Sequence, residues 1–188
     1  MVEIKEKVYR NLQKVLDTLP INYPETESGV EIRILKQLFS PEQALIASKL
    51  GFNPKALQDI YNELNKDGLT LKRVEEQLDV MFADGLIIRV IKSDIKYYIA
   101  SPFILGFYEF QIDKFTEEFI YDVDQYLEEA YIGELNKTRI PQLRTIPIEK
   151  EIGVERTVAT YDDFRSMLEN CGEPIVLNEC ICRKKNDL

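Results

Sequence analysis

Cys180-Ile181-Cys182 is the one constellation in the chain with metal-type chemistry. On an extended segment, residues two apart point to the same face. Both thiols would then meet one soft metal or cluster, and Arg183, Lys184 and Lys185 would favour the thiolates. Cys171, upstream, is the candidate third ligand, or else a small buried hydrophobe at a helix end. With three Cys and no His, a four-coordinate zinc or four-iron site is one protein ligand short. By spacing alone, incidental cysteines rank ahead of a cluster site.

The missing His removes more than a metal ligand. It excludes Ser-His-Asp and Cys-His nucleophilic machinery and any imidazole general base. The carboxylate pairs Asp162-Asp163, Glu117-Glu118 and Asp122 with Asp124 show no convergent pattern. Asp162-Asp163 falls in a predicted first helical turn, where acids complement the helix dipole. Neither a P-loop nor a Gly-x-Gly-x-x-Gly occurs, so nucleotide chemistry has no support, and the chain reads as non-catalytic. An odd cysteine count does not suit a secreted disulfide framework. Residues 1–7 are charged, and no uninterrupted apolar run approaches the roughly 18 residues a membrane span needs. These features predict a cytoplasmic protein with no membrane partner.

Charge is informative by segment. The chain carries 24 Lys+Arg against 33 Asp+Glu, a net charge of -9. Residues 106–135 hold 1 basic and 9 acidic groups, a net -8, while 1–27 stand at -1 and 28–105 and 136–188 are each neutral. The acidity is therefore one segment, which repels a polyanion such as DNA. A solvated helix face is the first reading of that segment, and a dedicated acidic docking surface the second.

The elements that would position these groups follow from periodicity and caps. Ile4, Val8, Leu12, Val15 and Leu19 predict an opening helix that ends before Pro20, and residues 20–27 read as a connector. Ser28-Gly29-Val30-Glu31 reads as a capping box before an apolar face of Val30, Ile34 and Leu38. Ser40-Pro41-Glu42-Gln43 repeats the device. Asn53-Pro54 opens a helix with Leu57, Ile60, Tyr61 and Leu64 inward. Thr70 caps another, with Leu71, Val74, Leu78, Met81 and Phe82 inward and Gly85 at its end. Residues 86–91 and 95–100 read as a hairpin around Lys92-Ser93-Asp94. Phe115, Phe119, Val123, Tyr126, Leu127 and Ala130 form a helical stripe in the acidic segment, with its carboxylates, Asp122 among them, on the other faces. Residues 144–148 and 156–160 suit short strands, Thr160 caps a helix carrying Phe164, Met167 and Leu168, and 175–182 reads as a last extended run.

The expected class is mainly α with a small β component. The organisation is an N-terminal helix and connector (1–27), a helical domain with a hairpin (28–105), an acidic amphipathic helix (106–135) and a small α+β tail bearing Cys-x-Cys (136–188). The helix, helix, helix, hairpin order over about 28–101 is that of a winged helix, and Ala83-Asp84-Gly85-Leu86-Ile87 resembles the helix-to-wing junction common in that family. In such a domain, DNA would be met by Lys72 and Arg73 on the recognition helix and by Arg89, Lys92 and Lys96 on the wing. Residues 71–84 also carry Glu75, Glu76, Asp79 and Asp84, the wrong net sign for the major groove. DNA binding is thus disfavoured against a structural or protein-binding role.

Nearly the whole chain resembles the N-terminal part of iron-sulfur proteins of anaerobic bacteria and archaea. In these, a winged-helix-like domain precedes a Cys-rich ferredoxin-type segment that binds 4Fe-4S clusters. The resemblance is carried by residues 19–24, by GVEIRILKQLFSPEQALIASKL (29–50) and YYIASPFILGFYEFQ (97–111), and by RTIPIEKEI (144–152) and CICRKK (180–185). It implies that Cys180 and Cys182 are cluster ligands and that the cluster serves electron transfer. Proteins of this kind continue into further cysteines, whereas this chain ends six residues after Cys182. The expectation is a chain shortened before most cluster ligands, with a 4Fe-4S cluster in a longer protein and none held by these residues alone. Its role would be a scaffold that binds a redox partner or a second copy. The alternative is a winged-helix transcriptional regulator with a redox- or metal-sensing tail.

Overall fold

Apolar residues three and four apart at the N-terminus do form a helix, α1 (Val2–Asp17), which buries Tyr9, Leu12 and Leu16. The computed structural model describes residues 2–64, 67–137, 160–172, 174–175 and 179–186. The strand expected at 144–148, and residues 156–159 of the one expected after it, lie outside the described residues.

Helix α2 (Val30–Leu38) begins where expected but without the expected cap. Gly29 stands at the cap position with φ +70°, and the first helical amide, Val30 N, donates to Thr26 Oγ1 at 3.2 Å and to Ser28 Oγ at 3.3 Å in place of a reciprocal Ser28-Glu31 box. The Ser28 hydroxyl also donates to Glu129 Oε2 at 2.6 Å, and Glu31 is turned inward. The expected box lacks its second half, because Glu31 faces Arg10 Nη1 at 2.9 Å. Helix α3 (Pro41–Ala47) does carry its capping box: Gln43 N donates to Ser40 Oγ at 3.2 Å and Ser40 N to Gln43 Oε1 at 2.9 Å. After Pro54 the chain first extends into β1 (Lys55–Ala56) and only then coils into α4 (Leu57–Leu64). Helix α5 (Leu71–Ala83) is capped by Thr70 Oγ1, which accepts from Arg73 N at 3.2 Å. It buries Val74, Leu78 and Met81, whereas Leu71 and Phe82, expected inward, are exposed.

Gly85, at φ +72°, reverses the chain out of α5. Leu86 N donates to Met81 O at 2.8 Å and Gly85 N to Phe82 O at 3.0 Å, which satisfies the last carbonyls of the helix. The hairpin follows as β2 (Ile87–Lys92) and β3 (Ile95–Ala100). Ser93 and Asp94 sit at φ +50° and +62°, the left-handed pair that matches strand twist in a two-residue turn. Strand β1 pairs antiparallel with β3, Lys55 opposite Tyr98, so the sheet runs β1-β3-β2 and β2 forms an edge. The described residues are thus mostly helical with a small antiparallel sheet, the coarse α+β class expected.

The acidic segment is not one helix from residue 106. Residues 103–107 form a wide turn closed by Phe107 N to Pro102 O (2.9 Å) and Tyr108 N to Phe103 O (3.0 Å), and 109–114 form a 3-10 turn. Helix α6 (Glu117–Tyr126) starts at the Thr116 cap and runs through a π-helical turn at Leu127–Tyr131 into α7 (Ile132–Lys137). The π turn lets Tyr126 and Tyr131, five residues apart, both reach the core. There Tyr23, Phe103, Phe107 and Tyr126 pack ring on ring, with Tyr23 and Tyr126 centroids 4.8 Å apart. Helix α2 lies between α1 and α6. Among the described residues of the tail, the elements are helices: α8 (Tyr161–Glu169), with Thr160 and Asp163 as a reciprocal capping box, and α9 (Ile181–Asn186). No helix among the described residues is long and apolar enough to cross a membrane.

Candidate functional site

The cysteine motif does not lie on a strand. Cys180 immediately precedes α9, and its carbonyl accepts from Arg183 N at 3.1 Å and Lys184 N at 3.0 Å. The chain is therefore helical from Ile181, and the two-residue repeat that would set both thiols on one strand face is absent. The cause is visible in the packing. Ile181, between the two cysteines, is buried to 6% exposure in the core, and α9 rests on the 109–114 turn. Lys184 pairs with Glu179 at 2.6 Å and Asp113 at 3.9 Å, and Lys185 pairs with Asp124. Cations in a last helical turn also complement the helix dipole. Lys184 and Lys185, two of the three basic residues expected to favour thiolates, thus bind carboxylates, and two of their three ion pairs reach the acidic segment, at Asp113 and Asp124.

Cys180 is exposed, as is Cys171, which follows the end of α8 with its N–H donating to Leu168 O at 3.3 Å. Cys171 is thus not the buried hydrophobe weighed from sequence. Among the described residues, no three His, Cys, Asp or Glu side chains are grouped to hold a metal ion. A four-iron cubane takes four protein thiolates, and the chain has three Cys, so its own residues do not fit a complete cluster.

The residues proposed for DNA are brought together, but largely with acids. Arg89 Nη1 lies 2.8 Å from Asp79 Oδ1, with its guanidinium 3.8 Å over the Phe82 ring. Lys96 reaches Asp79 at 3.2 Å and Glu75 at 3.5 Å, and the Asp79 hydrogen bond raises its pKa. Arg73 pairs with Glu42 at 2.7 Å and Glu76 at 3.7 Å, and Lys72 lies 4.0 Å from Glu76. Lys92, at the hairpin tip, is exposed and makes no ion pair among the described residues. Arg89 and Lys96 therefore clamp the hairpin to α5.

Two features went unread in the sequence. The first is a buried polar seam beside α2. Glu31, fully buried, faces Arg10 Nη1 at 2.9 Å and accepts from Thr26 N at 3.3 Å. Asp122, expected on a solvated face, is 3% exposed and takes Arg33 Nη2 at 2.8 Å, Arg33 Nε at 3.0 Å and Gln37 Nε2 at 2.7 Å. The Asp122 hydrogen bond raises the pKa of Arg33. The second is a cleft of about 520 Å³ between α1 and α2, lined by Lys7, Arg10, Lys14, Arg33 and Lys36 with Glu6 as its one carboxylate. Residues 7, 10 and 14 share a helical stripe, as do 33 and 36, a signal that was available in the sequence. It was masked because the two stripes fall in segments that are each near neutral. No protein-family model, curated protein or solved structure gives a significant match to the chain.

Proposed function

We propose that the chain is the non-catalytic, partner-binding scaffold of a cytoplasmic 4Fe-4S electron-transfer protein, built on a winged helix at residues 28–101. Support for the winged helix is the order α2, α3, α4, α5 and then the β2-β3 hairpin. The observation that carries the functional reading is the seating of the cysteine segment. Ile181 is in the core, Lys184 and Lys185 bind Asp113 and Asp124, and Cys180 is left at the surface. The acidic segment then has a role beyond solubility, because it fixes where the cysteines are presented. Cluster ligands beyond these three thiols would come from downstream sequence or from a partner.

The test is anaerobic reconstitution with iron and sulfide. This chain should retain little iron by itself, and a longer form that supplies further cysteines should hold a full cluster. Cys180→Ser with Cys182→Ser in the extended form should lower iron content and alter the visible spectrum. Unchanged iron and spectrum would remove both residues as ligands and leave a likeness of fold alone. The regulator alternative has less support, since Arg73, Arg89 and Lys96 are already engaged by carboxylates.

A further inference from the structure

We propose that the cleft between α1 and α2 binds a small molecule carrying a di- or triphosphate group, held by Lys7, Lys14 and Lys36 above a floor set by Arg10 and Arg33. The cleft volume, about 520 Å³, lies within the range of small-ligand sites. Its charge is opposite to that of the molecule, whose net charge is -9. That contrast is a local inversion of sign, and cations gathered in a concave surface focus their field on an entering anion.

The lining groups have separable parts. Arg10 is fixed by Glu31 at 2.9 Å and Glu25 at 3.3 Å, and Arg33 by Asp122 at 2.8 Å and Gln125 at 2.7 Å. The carboxylates behind them cancel most of their formal charge, so the arginines supply shape and remaining N–H donors. Surplus positive charge comes from the lysines. Among the described residues, Lys7 and Lys14 make no ion pair, and Lys36 pairs at 3.2 Å only with Glu6, which is exposed at the rim. An arriving anion therefore displaces one solvated carboxylate and meets three ammonium groups on two helices. A single carboxylate ligand would engage one or two of them, whereas a polyphosphate spans all three. This inference does not depend on the iron-sulfur reading.

The experiment titrates sodium tripolyphosphate into the intact chain at constant ionic strength, followed by calorimetry and by thermal unfolding. The expected result is saturable one-to-one binding with a rise in Tm. Lys7→Glu with Lys14→Glu should weaken binding at least roughly tenfold, since charge-assisted contacts of this kind are each worth about that factor. Both lysines are exposed, and circular dichroism checks that the variant folds. Glu6→Gln, which removes the rim carboxylate, should tighten binding. Equal binding by the double variant, or an equal Tm rise from chloride at matched ionic strength, would overturn the proposal. Retention of random duplex DNA that the double substitution abolishes would also overturn it, because the cleft would then be part of a phosphodiester track.

Discussion

Asp122 shows how much a single carboxylate's meaning depends on its neighbours. It belongs to a segment with nine acids, yet it alone of them is buried, under Arg33 and Gln37 of α2. Removing Arg33 would leave that charge buried with too few donors. Arg33→Ala should cost about 3 kcal/mol of stability, the lower end for a broken buried pair because the arginine is itself 42% exposed. Arg73→Ala, whose partners Glu42 and Glu76 are both reached by solvent, should cost less than about 1 kcal/mol. Urea denaturation of the two variants measures the difference, and equal losses would show that burial is not what matters at Asp122. The sequence could not single out this residue. Its periodicity places Asp122 beside the apolar stripe, and only the seating of α6 against α2, from 89 positions away, covers it.

Local chemistry made some elements readable and tertiary competition hid others. The Ser40 box, the Thr70 cap, the Gly85 stop and the Ser93-Asp94 turn all depend on residues within a few positions, and they stand as expected. The Ser28 box failed because its second half, Glu31, is buried against Arg10 of another helix. Strand β1 was missed because two residues carry no alternation to detect. The last segment was read as extended from its apolar run, but Ile181 is anchored from one side only, and the basic residues after it continue a helix. Gly85 is the junction most open to test. A Cβ there would stand 2.3 Å from Phe110 Cβ, on a backbone already at φ +72°. Gly85→Ala should lose about 1 kcal/mol or more from the left-handed conformation alone, with the clash adding to it. Thermal unfolding checks this, and a neutral Gly85→Ala would mean that the α5-β2 junction has slack the packing does not reveal.

At the scale of the molecule, the core is unusual in its phenols. Burial raises the pKa of Tyr9, Tyr23, Tyr98, Tyr126 and Tyr131 above the ordinary value of 10.0. For each, the unfolded chain releases its proton at lower pH than the folded one. Their contribution to stability is therefore complete below about pH 10 and declines as pH rises beyond it. Alkaline titration should show part of the phenolate absorbance appearing in one cooperative step with loss of helical circular dichroism. Smooth independent titration of all ten tyrosines, with the helices intact, would contradict the burial of this group. The basic cleft is likewise a whole-molecule property, because its cations are gathered only when α1 lies on α2. The hairpin has a different consequence at this scale. Among the described residues, strand β2 ends the sheet with one row of amides and carbonyls unpaired within it, and Ile88, Val90 and Ile91 stand exposed along it. Arg89 is drawn back to Asp79, which leaves Lys92 as the gatekeeper of that edge. Mutual repulsion between molecules of charge -9 keeps such edges apart in dilute buffer. High salt and high concentration remove that protection, so self-association through this hairpin edge should rise with both.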